Sequence, residues 1–180
     1  MAREMLADLM STAGVSGQPH AMAMLRSVAA VAPSGVRDAA NETAERLAAA
    51  GVAEPAWLEE LGAPEFSGAF GYRDDEQECV ATVFSYDANS HAVVALIYHS
   101  MGGGLKDIFL TDQLDTLRGE YERAAEATDC DLIDHGREQA HQILTEALDQ
   151  PPCAEQPDQI EDVRDYRDLL RRRVAVLAHA

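Results

Sequence analysis

Residues 78–99 decide the fold, and they read ECVATVFSY, then DANS, then HAVVALIYH. Residues 78–86 and 91–99 are rich in Val, Ile, Phe and Tyr, the residue types that favour β-strands. The four residues between them are turn formers. The pattern predicts an antiparallel hairpin, and a four-residue turn places Tyr86 opposite His91.

The segments on either side extend this hairpin into a meander. Residues 66–72 contain three aromatics and two glycines and predict a weak or edge strand. After the glycine run at 102–104, residues 105–110 predict a further strand. The sheet is therefore expected to have three or four strands.

Helical periodicity dominates both ends of the chain. Apolar residues recur at helical spacing through most of residues 1–62, beginning with a stripe from Met5 to Ala13. Helices are also predicted over residues 112–127, 135–149 and 160–177. The predicted fold class is α+β, with N-terminal helices, an antiparallel β-meander and C-terminal helices. We expect a single domain over residues 1–180, made of a helical part (1–62), the meander (63–111) and a second helical part (112–180).

Both faces of the predicted hairpin are apolar. One face carries Val80, Phe84, Val93 and Ile97, and the other carries Ala81, Val83, Val94 and Leu96. A sheet buried on one side only would show polar alternation instead. Either helices cover both faces, or a second copy of the chain covers one. We expect a homodimer burying at least about 1,000 Å² in total.

Composition indicates a soluble, cytoplasmic protein. The apolar fraction of 47% is too high for a disordered chain. The longest strongly apolar stretch, Ala92 to Tyr98, is far shorter than the roughly 20 residues of a membrane helix. The N-terminus does not resemble a secretory signal. The three cysteines are widely spaced and form no CxxC pair, so neither disulfides nor a cysteine zinc site is expected.

Negative charge is concentrated in the C-terminal third. The chain has a net charge of −18, and residues 112–168 hold seventeen acids against five arginines, a net of −12. Such a field repels DNA, RNA and anionic membranes, so direct binding to either is not expected. The acids are interpreted as a solvated surface, with an acidic face that docks a basic partner or imitates nucleic acid as the alternative.

The sequence contains no P-loop, GxGxxG, HExxH, GxSxG or EF-hand motif. The strongest candidate for chemistry is a polar row across three strands: Glu78 is expected to face His99, and His99 to face Lys106, with Asp107 beside them. A carboxylate, an imidazole and an amine in a row can perform acid–base chemistry or bind an anion. The alternative is that the row marks the solvated rim of the sheet.

Two weaker candidate sites are a glycine run and a carboxylate–histidine pair. The glycine run at 102–104 could form an anion-binding nest, although a flexible hairpin loop is the simpler interpretation. Glu138 and His141 have the i, i+3 spacing of a helical metal site, but di-metal bundles need this motif twice. An exposed helix start explains the pair more simply, so neither a metal nor an organic cofactor is expected.

The leading functional hypothesis is a non-enzymatic protein-interaction or regulatory module that self-associates or binds another protein. The first alternative is a small-molecule-binding or hydrolytic enzyme that uses Glu78, His99 and Lys106. The second is an acidic nucleic-acid mimic. A polar pocket at the row favours the enzyme, and a large apolar patch on one sheet face favours the oligomer.

Overall fold

The computed structural model describes residues 19–32, 34–61, 64–86, 89–153 and 157–178. The chain divides into two compact units, residues 1–63 and 64–180, here called the first and second units. This boundary lies one residue beyond the predicted end of the N-terminal helical part at residue 62. That residues 1–180 act as one domain stays a prediction. The predicted helix from Met5 to Ala13 lies outside the described residues.

The first unit contains three described helices: α1 (Pro19–Val31), α2 (Ser34–Ala49) and α3 (Leu58–Leu61). The first two pack through small and medium apolar side chains, which include Met22, Leu25, Ala40, Ala44 and Leu47. Gly51 follows α2 with φ of +89°, the left-handed conformation that glycine adopts without a steric penalty.

The second unit is built around one antiparallel sheet in the order β4-β3-β2-β1-β5. Its strands are β1 (Glu65–Arg73), β2 (Gln77–Tyr86), β3 (Asn89–Tyr98), β4 (Gly104–Thr111) and β5 (Ile133–His135). The first four form the predicted meander. The three-residue β5 adds a strand beside β1 that the sequence did not predict.

The remaining helices follow the sheet, as predicted. They are α4 (Leu114–Ala127), α5 (Arg137–Asp149) and α6 (Pro157–Leu177). The fold class is therefore α+β, with helices before and after an antiparallel sheet. Among the described residues, no helix combines the length and the apolar character that crossing a membrane requires.

Helices pack against both faces of the sheet. The first face includes Val80, Phe84, Val93 and Ile97, and it packs against α5 and α6 through residues such as Leu144 and Leu170. The second face includes Ala81 and Val94, and it packs against α4 through Leu117 and Tyr121. The assignment of the apolar residues to the two faces is confirmed, and helices contribute cover on each side. The homodimer stays a prediction.

The predicted register of the central hairpin is wrong by two residues. Tyr86 pairs with Asn89, and His91 pairs with Phe84. The strand β3 begins at Asn89 because Asn89 and Ser90 join the ladder instead of the turn. A shift of two residues leaves every side chain on its original face, because side chains alternate with a period of two. The face assignment therefore survived the register error.

Candidate functional site

A polar cleft opens between the first face of the sheet and helix α5. It has a volume of about 200 Å³. The strands contribute Arg73, Glu78 and Ile97, and the loop after β3 contributes His99. Helix α5 contributes Glu146, and Gln150 follows the helix directly. We call this site the Glu78 cleft.

Glu78 is the buried carboxylate of this cleft. It sits on β2, on the first face, and only 3% of the residue is exposed. Its Oε2 atom lies 2.9 Å from Nε2 of His99 and 3.6 Å from Nη1 of Arg73. Burying a carboxylate is costly unless donors and positive charge compensate it. The imidazole and the guanidinium supply that compensation.

His99 is held by the loop that joins β3 to β4. It is the first residue of a 3₁₀ turn, His99–Met101. Its amide donates to the Glu76 carbonyl at 2.8 Å, and its carbonyl accepts the Gly102 amide at 3.2 Å. Gly102 and Gly103 have φ of 90° and 78°, which side-chain-bearing residues rarely adopt. The glycines therefore allow the tight turn that directs the imidazole towards Glu78.

The Glu78–His99 pair has the geometry of a carboxylate–imidazole dyad. An ionised carboxylate can only accept hydrogen bonds, so Nε2 of a neutral His99 carries the proton and donates it to Glu78. The lone pair is then on Nδ1, for which the described residues provide no hydrogen-bond partner. An imidazole fixed in one tautomer by a carboxylate is the arrangement that general-base catalysis uses.

The structure does not bring the other two members of the predicted row into the cleft. The predicted pairing of His99 with Lys106 is wrong, because His99 has left the ladder and Tyr98 pairs with Gly104. A register irregularity between Leu96 and Ile97 places Lys106 at a bulge in β4. Its Nζ atom donates to the Tyr98 hydroxyl and lies 4.0 Å from the centroid of that ring.

Asp107 lies opposite Leu96, on the second face of the sheet. Its carboxylate accepts the Ile108 amide at 2.7 Å. The cleft is on the first face, so Asp107 and the Glu78–His99 dyad belong to opposite sides of the sheet. Of the four residues predicted for this site, the structure therefore brings two together, Glu78 and His99.

Arg73 was not among the residues that the sequence predicted for this site. It is the last residue of β1 and pairs directly with Glu78 on β2. Opposite charges at directly paired positions attract each other across a sheet. Pairing the predicted edge strand with residues 78–86 could have found this contact.

The glycine run is a hairpin loop whose first two amides are already engaged. The Gly102 amide donates to His99, and the Gly103 amide donates to the Tyr98 carbonyl at 2.8 Å. The interpretation as a flexible turn is therefore favoured over an anion-binding nest. Gly104 has a packing role, because a Cβ atom there would lie 2.1 Å from the Pro151 carbonyl oxygen.

Glu138 and His141 both lie on α5, with Glu138 exposed and His141 partly buried. In the part of the chain that the structure describes, no group of three or more His, Cys, Asp and Glu side chains could hold a metal ion. The pair is therefore not completed into a ligand set by any described residue.

Cys79 follows Glu78 in the chain but faces the opposite side of the sheet, against Tyr72 and Tyr121. Burial raises the pKa of the Cys79 thiol. Burial likewise raises the pKa of both tyrosine hydroxyls. These groups stay protonated at neutral pH, so the cysteine is a poor nucleophile and has a packing role.

A second depression, of about 440 Å³, lies on the second face beside α4 and β5. Its cation, Arg118, is already engaged. The guanidinium donates to Asp134 at 3.0 Å and its carbon lies 5.1 Å from the centroid of the Phe70 ring. We call this depression the Arg118 groove. The Glu78 cleft is the better candidate for chemistry because a buried carboxylate orients its imidazole. In the Arg118 groove, the described residues give neither ring nitrogen of His135 a hydrogen-bond partner.

No family model, curated protein or solved structure matches the chain.

Proposed function

We propose that the protein binds a small molecule in the Glu78 cleft and that Glu78 and His99 form an acid–base pair acting on it. The observation that carries this proposal is the 2.9 Å contact between the buried Glu78 carboxylate and the His99 imidazole. Ligand sites combine a concave surface with a few converging polar groups, and the cleft has both.

The dyad defines a class of chemistry. With Glu78 accepting the Nε2 proton, Nδ1 of His99 can take a proton from a bound water or from a hydroxyl group of the ligand. The resulting imidazolium is stabilised by the adjacent carboxylate. A hydrolytic reaction is the enzymatic form of this proposal, with His99 as the general base and Glu78 as the residue that orients it.

This proposal takes precedence over the interaction module that the sequence favours. The main support for that module was the need to cover two apolar sheet faces, and α4, α5 and α6 contribute this cover from within the chain. The interaction module and the nucleic-acid mimic remain predictions, without a contact that favours either.

The test is a ligand-detected NMR screen of a small-molecule library against the full chain, followed by a variant that blocks the cleft. Gln150 is exposed and lines the cleft, so Gln150→Trp fills the entrance without disturbing the core. Gln139→Trp is the matched control, because Gln139 is exposed on α5 but does not line the cleft.

We expect ligands that bind the wild type and the Gln139→Trp variant but lose binding to the Gln150→Trp variant. Ligands that bind both variants equally well would place the binding site elsewhere. A screen without any ligand would also count against the proposal.

A further inference from the structure

The polar groups of the Glu78 cleft are mostly hydrogen-bond acceptors. Glu78 and Glu146 contribute carboxylates, and Nδ1 of His99 contributes a lone pair when Nε2 donates to Glu78. Arg73 is the principal donor. A ligand that fills this cleft must therefore offer donors of its own, because a buried acceptor without a partner is costly.

The charge of the cleft points in the same direction. With a neutral imidazole, the lining has two carboxylates and one guanidinium, a net charge of −1. Arg73 lies 3.6 Å from Glu78 and offsets that carboxylate. The net negative charge of the cleft therefore belongs to the Glu146 carboxylate.

Glu146 has no cationic partner among the described residues. Its Oε1 accepts a hydrogen bond at 2.9 Å from the side-chain amide of Gln142, which is neutral. On the opposite wall of the cleft, Glu78 receives both the guanidinium and the imidazole. An uncompensated carboxylate on the helix wall is thus the part of the site still open to a positive charge.

The whole chain reinforces this preference. Its net charge of −18 lowers the local concentration of anions and raises that of cations near the protein surface. The cleft volume of about 200 Å³ is below the roughly 300–1,000 Å³ of sites for drug-sized molecules. The ligand must therefore be small.

We infer that the Glu78 cleft takes a small organic cation, a primary amine in its ammonium form, with Glu146 as the residue that selects the charge. This inference rests on the proposed function and adds the class of ligand. The ammonium group lies against the Glu146 carboxylate, and the rest of the molecule reaches the Glu78–His99 dyad.

Three probes of nearly equal size test the charge preference: ethanolamine, ethylene glycol and glycolate, which are cationic, neutral and anionic. Each is titrated into the isotope-labelled full chain at constant ionic strength, with the Gly102 and Gly103 amides as reporters. Ethanolamine is expected to give saturable shifts at these amides, with a lower dissociation constant than either of the other probes.

The Glu146→Gln variant identifies the selecting residue. It should weaken ethanolamine binding by about three- to fivefold, the upper part of the range for a solvent-accessible ion pair, and leave ethylene glycol binding unchanged. Glu138→Gln is the control, since Glu138 is an exposed acid on the same helix that does not line the cleft. It should change neither dissociation constant.

The outcomes separate this inference from the proposed function. If glycolate or ethylene glycol binds as tightly as ethanolamine, or if Glu146→Gln has no effect, the amine class is wrong and the cleft remains a binding site for another ligand. If none of the three probes shifts the reporter amides, the amine class is also wrong. The proposed function itself fails only when the library screen yields no ligand whose binding is lost in the Gln150→Trp variant.

Discussion

At position 71 the backbone of β1 passes so close to β2 that a Cβ atom would lie 1.9 Å from the Cys79 carbonyl oxygen. A strand carbonyl cannot move away without disturbing its ladder. We therefore expect Gly71→Ala to lower the free energy of unfolding by about 3 kcal/mol, at the upper end of overpacking costs.

Gly68 is the matched control on the same strand, because a Cβ atom there would meet nothing within 4 Å. Gly68→Ala should change the free energy of unfolding by less than about 0.5 kcal/mol. Urea denaturation measures both values. Equal effects of the two substitutions would show that the close approach at Gly71 does not constrain the sheet.

His91 gives the fold a dependence on pH. Its ring stacks on Tyr86, with the ring centroids 5.5 Å apart, and on Phe84, with the centroids 6.0 Å apart. Burial, followed by the nearby Arg173 guanidinium, lowers the pKa of His91 below its ordinary value. The unfolded chain therefore binds this proton more readily than the folded chain, so stability is lost as the pH falls below about 6.5.

The variant His91→Phe keeps an aromatic ring in the stack and removes the titration. Between about pH 7 and about pH 5, its free energy of unfolding should fall less steeply than that of the wild type. The control variant replaces the exposed His20 with Gln. A His91→Phe slope equal to the wild-type slope would contradict the assignment.

Among the elements, α4 contributes the cover of the second sheet face. Leu117 is 5% exposed and belongs to the core that α4 forms with this face. Leu117→Ala should lower the free energy of unfolding by about 3 kcal/mol, because it removes buried methyl groups and leaves a cavity. The exposed neighbour Thr116, replaced by alanine, should change it by less than about 0.5 kcal/mol. A small effect at Leu117 would mean that α4 contributes little to covering the sheet.

The elements also show where sequence reasoning succeeds and where it stops. The hairpin over 78–99 was predictable because β-branched and aromatic residues filled both strands. Its register was not, because Asn89 and Ser90 are typical of turns but lie in β3. The strand β5 was missed because Ile133, Asp134 and His135 are too few to show a period.

The candidate site was predictable only in part, for related reasons. The predicted contact between Glu78 and His99 forms, but through the turn after β3 and not through the ladder, in which Glu78 pairs with Ile97. The position of Lys106 was not predictable, because a bulge in β4 is not visible in the residue pattern. The wall formed by α5 and by Gln150, which follows the helix, depends on tertiary packing. No local signal in the sequence indicates that Glu146 and Gln150 approach the sheet.

At the scale of the whole molecule, the described residues that form the two cores around the sheet all belong to the second unit. A chain of residues 64–180 should therefore fold when it is expressed without the first unit. We expect a cooperative thermal transition and a dispersed amide NMR spectrum. A broad, non-cooperative transition would show that the sheet needs the first unit in order to pack.

Ligand binding in the Glu78 cleft is the central claim. The most direct measurement is an amide NMR titration of the isotope-labelled full chain with a ligand from the library screen. The account predicts that the largest shifts map to Gly102, Gly103 and Gln150, and that Gln150→Trp abolishes them. Shifts centred on the Arg118 groove, or shifts that Gln150→Trp leaves unchanged, would contradict it.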